Sequence, residues 1–323
     1  MQAAGERGMW TRRRAATLVL GYLAGLGGMI LVKGVFLSAD RYFLILLVPA
    51  LALGWRTGRA YVRDFLPFIA LVLLYEEARG LAHSLHPHPF YEPMLTIDRW
   101  IGFGQVPTIR LQGWLWQGHL EWYDHAFSLL DRLHFIVPPT LLLLIWLERR
   151  EVFYRCAATL VAVSFAGAAT FWAFPAAPPW LASKHHLIPH VYRIGYIEGG
   201  DSPVATSKSW IEAHLLGNPV AAVPSLHAAY ATMVLLFVYA WRGRKWASFA
   251  APYTLGMWFT VVYLGDHYVA DIAVGTAYAA AGWVLVPRLL QTGPFRRLLG
   301  PFPAPLTLGD RERSDVLRSG HER

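Results

Sequence analysis

Long apolar segments, recurring along the chain with arginines between them, constrain this sequence more than any other feature. They lie at roughly residues 15–37, 41–55, 61–83, 125–147, 153–174, 223–241, 246–264 and 268–290, the second being short for a span. About 20 consecutive apolar residues cross a bilayer as a helix. Lipid offers the backbone no hydrogen-bond partners, so each segment must satisfy its own peptide groups, which a helix does. The pattern predicts an all-α polytopic membrane protein. Composition agrees: only 15% of residues are charged, against nearer a quarter in soluble domains. Fourteen Trp and fifteen Tyr suit a chain that lines two water–lipid interfaces.

The net charge of +8 has a topological reading. With the N-terminus in the cytoplasm, the inner turns carry Arg12, Arg13 and Arg14; Arg56, Arg59 and Arg63; Arg149, Arg150 and Arg155; and Arg242, Arg244 and Lys245. The outer segments are longer and carry fewer cations, as the positive-inside rule requires. The expectation is a multi-pass cell-membrane protein with both termini cytoplasmic. Basic residues at span ends, not on one face of a folded domain, argue against a nucleic-acid partner. The segment after Arg14 is long and lacks a small-residue cleavage site, so it reads as a retained first span. Cys156, the single cysteine, permits no internal disulfide and reads as a small buried hydrophobe.

Three regions follow: an N-terminal transmembrane extension over 1–60, a six-span core over 61–292, and a polar tail over 293–323 expected to be disordered. Two long outer loops interrupt the core. Loop 84–124 holds Asp98-Arg99-Trp100 and Trp114-Leu115-Trp116, as an amphipathic helix on the membrane surface would. Loop 175–222 is rich in Pro, Gly and Ser, and loops of this length often cover a site.

Two constellations carry chemistry. In Pro224-Ser225-Leu226-His227, proline fits a first helical turn, and the free N–H groups of that helix end attract an anion. Ser225 adds a hydroxyl and His227 an imidazole. The plain alternative is a helix that starts with Pro-Ser and carries a hydrogen-bonded histidine. In His267-Tyr268-Val269-Ala270-Asp271, the i, i+4 spacing sets His267 and Asp271 on one helix face. A carboxylate on one imidazole nitrogen frees the other as a nucleophile; the alternative is a structural His–Asp pair at a span end. The charge argument, which uses neither motif, places both on the outer side. Two histidines and a carboxylate beside a helix N-terminus make a phosphoryl-transfer site, one His attacking phosphorus and the other protonating the departing oxygen.

On these residues the chain resembles the phosphatidic acid phosphatase type 2 (PAP2) superfamily, in particular the branch containing inositol phosphorylceramide synthases and their bacterial relatives. Phe174-Pro175-Ala176-Ala177-Pro178-Pro179-Trp180 also resembles that branch. The resemblance covers roughly 60–290 and implies His267 as nucleophile, Asp271 orienting it, His227 as general acid and then base, and Ser225 binding phosphate oxygens. It implies no metal or organic cofactor. It also implies a phospholipid or polyprenyl-phosphate substrate, and a hydroxyl acceptor (inositol, a sugar or a lipid alcohol) or water.

The departures from the phosphatases of that superfamily are specific. Their Ser-Arg ahead of the nucleophile becomes Thr260-Val261, Trp180 follows Pro179 where they have Arg, and Leu226 replaces a Gly. The usual arginine clamp is missing, leaving Arg132 and Lys184 as candidate phosphate-binding cations, although Arg132 can also simply pair with Asp131. A phosphodiester needs fewer cations than a monoester. The reading is therefore a lipid phosphotransferase, with a lipid or polyprenyl phosphate phosphatase as first alternative and a non-catalytic transporter or scaffold as second. His83, His86 and His88 are interrupted by Pro87 and Pro89, which breaks regular metal-ligand geometry. His185, His186 and His190 read as solvated loop residues. Glu76, Glu77 and Arg79 read as a local ion-pair cluster or a head-group contact.

Overall fold

Where apolar runs alternate with arginine-rich turns, the chain forms helices. The structure, a computed structural model, describes residues 39–52, 54–85, 88–197 and 220–292, with residues 21 and 25. Nearly all of the segment expected at 15–37, most of the outer loop beyond 197, and the tail after 292 lie outside the described residues, as do His86 and the side chain of His83. The described helices are α1 Ala39–Ala52 and α2 Trp55–Leu85, α3 Met94–Ile101 and α4 Pro107–Leu115, α5 Trp122–Leu133 and α6 Val137–Glu148, and α7 Arg150–Ala173. They continue with α8 Pro179–Lys184 and α9 Ile194–Ile197, α10 Leu226–Arg242, α11 Arg244–Tyr263 and α12 Val269–Leu290. No strand is named among the described residues, and the fold is all-α.

By length and composition alone, α7 and α12 suffice to cross a membrane, and α5 with α6 would make a third crossing. Among the described residues that is fewer than the apolar segments marked, of which 41–55 was already short for a span and 15–37 lies almost wholly outside them. Helix α10 has 17 residues, and α2 mixes Arg63, Asp64, Glu76 and Glu77 into its apolar run. The expected single helix at 125–147 is two helices bent by 49°. The reason is local: Pro138 and Pro139 open α6 and supply no N–H to the preceding turn. The chain tightens there, with His134 N donating to Asp131 O at 3.0 Å and Phe135 N to Arg132 O at 3.2 Å.

Contacts divide the chain into two units, Met1–Ala78 and Arg79–Arg323. In the first, Leu46, Ala50, Tyr61 and Phe65 are buried, and the rings of Tyr61 and Phe65 stack at 4.3 Å. In the second, α10 is the central helix and packs against α11, α12, α7 and α6. Ala228, Ala229, Ala231 and Ala240 are all buried along it, and such small side chains let neighbouring backbones approach. A close backbone approach lies between α12 and the start of α10, where a Cβ on Gly275 would overlap the Ser225 carbonyl oxygen. Glycine there is a requirement of packing.

The outer segments are tied together by backbone pairing. Phe90 N donates to Pro175 O at 2.7 Å, Ala177 N to Phe90 O at 2.8 Å, Ala176 N to Val220 O at 3.0 Å and Ala222 N to Ala176 O at 3.2 Å. The proline-rich stretch after α7 is thus the middle of a three-segment lattice whose far edge leads into Ser225. Helices α3 and α4 present Trp100 and Trp114 to the outside. Their other faces bury Asp98 and Gln112.

Candidate active site

The turn between α11 and α12 builds one half of the site. Gly265, at φ 88°, turns the chain after α11, and the amides of Asp266 and His267 donate to Val261 O at 3.1 and 3.0 Å. Tyr268 is the N-cap of α12, and its N–H donates to Asp271 Oδ2 at 2.8 Å. A carboxylate in the first turn suits the positive helix end. A second carboxylate arrives from α3: Asp98 accepts from Val269 N at 3.0 Å and Ala270 N at 2.9 Å. Burial raises the Asp98 carboxyl to about 6, while its two backbone donors pull the other way.

His267 Nδ1 lies 3.1 Å from Ala222 O and 3.4 Å from Asp271 Oδ2. A carbonyl oxygen only accepts, so Nδ1 carries the hydrogen and Nε2 keeps its lone pair. Asp271 shares the orienting part with Ala222, whose carbonyl is the nearer partner. Ala222 is placed by the lattice described above.

The other half comes from α10 and the α5–α6 break. Ser225 caps α10, its Oγ accepting from Ala228 N at 3.3 Å and its N–H donating to Asp271 O at 3.1 Å. His227, in the first turn, places Nδ1 at 3.2 Å from His267 Nε2. Its Nε2 lies 3.5 Å from Asp131 Oδ1. Since His267 Nε2 has no hydrogen, His227 Nδ1 donates to it, and two bare acceptors would otherwise face each other at Asp131. One proton therefore belongs to the Asp131–His227 pair. His134 packs its ring at 4.2 Å from that of His227 and stacks at 5.0 Å on Tyr230, and Tyr230 OH pairs with Ser164 Oγ at 2.5 Å.

The structure thus brings His227, His267, Asp271 and Ser225 together. Arg132 enters as a charge felt by Asp131. Lys184 ends α8 at an exposed position and lines a surface hollow with His186 and His190. Neither His227 nor His267 lines that hollow. Thr260 and Val261, where the phosphatase pattern has Ser-Arg, are both fully buried, and Val261 packs with Ala228, Met257 and Ile272. The clamp position is filled with hydrocarbon.

Sequence reasoning missed Asp131 and His134 as site residues, although a carboxylate and an imidazole three apart, just before a Pro pair in an apolar run, were a usable signal. Asp98, Gln112 and the Ala222 carbonyl carried none, because their partners lie far along the chain.

The PAP2 superfamily profile matches residues 92–285. Phosphoinositol dihydroceramide synthase of Bacteroides thetaiotaomicron is 34% identical over 143 residues, 42% of this chain and 46% of that protein. Inositol phosphorylceramide synthase of Candida albicans is 29% identical over 108 residues, 32% of this chain and 22% of that protein. The matched stretch spans less than half the length of either curated relative, and no solved structure matches. A profile that covers most of the second unit, including both histidine motifs and the elements that join them, settles the kinship: this chain belongs to the PAP2 superfamily.

Proposed function

We propose that this chain is a membrane-embedded phosphotransferase, moving a phosphorylated head group from a lipid to an alcohol acceptor through a phosphohistidine on His267. One observation carries the reading: His267 Nε2, freed of hydrogen by the Ala222 carbonyl, meets His227 Nδ1 at 3.2 Å. That contact occupies the place of the scissile phosphorus, so substrate must enter between the rings.

His267 Nε2 attacks phosphorus, forming N–P as the P–O bond to the leaving alcohol breaks. His227 gives its proton to that oxygen, and Asp131 stabilises the imidazolium beforehand. The acceptor hydroxyl then loses its proton to His227, its oxygen bonds phosphorus and the N–P bond breaks. The Ser225 oxygen is engaged by Ala228 N, but its hydroxyl hydrogen is free to donate to a phosphate oxygen. Both relatives are named as synthases of inositol-phosphate sphingolipids, which favours a phosphodiester donor and a lipid alcohol acceptor here. The charge pattern of the turns favours an extracytoplasmic site.

The test is incubation of purified protein with a lipid phosphodiester carrying labelled phosphorus, with and without alcohol acceptor. The expected result is an acid-labile label on His267 that moves to the added alcohol. Inorganic phosphate released from a labelled phosphomonoester without acceptor would favour the phosphatase reading. No label on the protein under either condition would sink both.

A further inference from the structure

The superfamily's clamp position is filled by buried Val261, so the anion needs a cation from elsewhere. The geometry points to Arg193: we propose that it is the phosphate-binding cation of this site, held by Asp266 while the site is empty. This rests on the phosphoryl-transfer reading above.

Three observations converge. First, the backbone at Arg193 is pinned to the turn that carries His267. The buried Gln112 side chain donates to Tyr192 O and Tyr263 O, each at 2.8 Å, and accepts from Tyr192 N at 2.9 Å. Val191 N donates to Ser183 Oγ at 2.9 Å. The turn needs Gly265 because a Cβ there would meet Val191 Cγ1 at 2.9 Å and Tyr192 O at 3.0 Å. Second, the guanidinium is oriented but not used up. Its Nε donates to Asp266 Oδ1 at 3.1 Å, and its Cζ lies over the rings of Trp180 and Tyr196, at 4.4 Å and 3.5 Å from their centroids. Its Nη groups have no hydrogen-bond partner among the described residues. Two aromatic rings and the Nε bond hold the guanidinium in place, and its Nη donors remain for phosphate oxygens. Third, the pair is electrostatically part of the site. Asp266 precedes His267 directly, and Asp131, 3.5 Å from His227 Nε2, has Asp266, Arg132 and Arg193 among its charged neighbours.

Asp266 precedes His267 and Asp271 lies 3.4 Å from it, so two carboxylates flank the nucleophile. An incoming anion would be repelled unless a cation answers them. Only Nε engages Asp266, which leaves the Nη groups as donors. Phosphate oxygens would take the Nη donors while Asp266 keeps Nε. With Asp266 retained, the pair offers less than a full positive charge, which suits a singly charged phosphodiester over a doubly charged monoester.

The test uses the full chain in detergent, with inorganic phosphate and orthovanadate as probes of the empty site, titrated calorimetrically. Arg193→Gln is expected to weaken both anions about 10- to 100-fold, the scale of lost hydrogen bonds to a charged group. Arg193→Lys should fall between, and Asp266→Asn should bind as tightly as wild type or tighter. A purely structural pair predicts instead that Arg193→Gln and Asp266→Asn lose binding and thermal midpoint in parallel, and that result overturns the proposal. So does Arg193→Gln binding phosphate like wild type, or wild type binding neither anion. The labelled-phosphohistidine assay separates the two readings. Arg193-dependent anion binding in a protein that never labels His267 would keep this site and discard the chemistry.

Discussion

His267 and His227 face each other across 3.2 Å, yet the two halves of the site are built differently. On the His267 side the side chain is 8% exposed and Asp271 0%. That side has backbone donors to Asp271 and Asp98, a carbonyl on the imidazole and a glycine that allows close packing. On the His227 side the imidazole is 25% and Asp131 28% exposed. Its contacts there are a 3.5 Å approach and a tilted ring contact with His134. The contrast matches the two proposed tasks. A nucleophile must be held in one tautomer and one direction, while the acid–base partner must move aside for the phosphoryl group and exchange protons with two successive oxygens.

Substitutions that probe the rigid half should cost most. His267→Ala should abolish both turnover and the labelled intermediate, a loss of at least ~10⁴-fold; residual labelling at another residue would reverse the proposed roles. Gly275→Ala should come next, because its Cβ would overlap the Ser225 carbonyl oxygen and push α10 and α12 apart. Overpacking of this kind costs about 1–3 kcal/mol, read as a lower thermal midpoint together with lost activity. An unchanged midpoint would mean the two helices are not held there.

The open half should respond in chemistry more than in stability. Asp131→Asn should lower kcat by about 10²-fold and alter the shape of the pH–rate profile, with little change in the thermal midpoint. A uniform loss at every pH would reduce Asp131 to a packing residue. The smallest effect is expected at Asp98. Its carboxyl is raised from 3.8 to about 6 by burial. A group raised on folding stabilises fully below its unfolded value and loses that contribution as pH rises through the folded value. Between about pH 4 and pH 6 the wild-type thermal midpoint should therefore fall by a few degrees relative to Asp98→Asn. Parallel curves for the two proteins would rule out this linkage.

Much of this was legible locally. The apolar runs announced helices because a bilayer allows little else. Pro224-Ser225 announced a helix start. His267 and Asp271 were expected on one helix face, but His267 precedes Tyr268, the N-cap of α12, and meets Asp271 at 3.4 Å from the turn rather than from the helix. Other features were not legible. The break before Pro138 was visible in principle, but its consequence, Asp131 and His134 turned toward α10, depends on which helix packs there. Arg193 lies in a loop whose sequence shows neither Gln112 beneath it nor Asp266 beside it.

The sequence alone determined the class of fold, the two histidine motifs and the absence of the usual arginine clamp, since each is a matter of residue type at short spacing. Tertiary structure decided which nitrogen of His267 is bare, which carboxylate faces His227 and which arginine pairs with Asp266. Those depend on contacts between residues 40 to 96 positions apart. Only the packing of α10 between its neighbours, and the backbone lattice that delivers the Ala222 carbonyl, brings such residues within hydrogen-bond range.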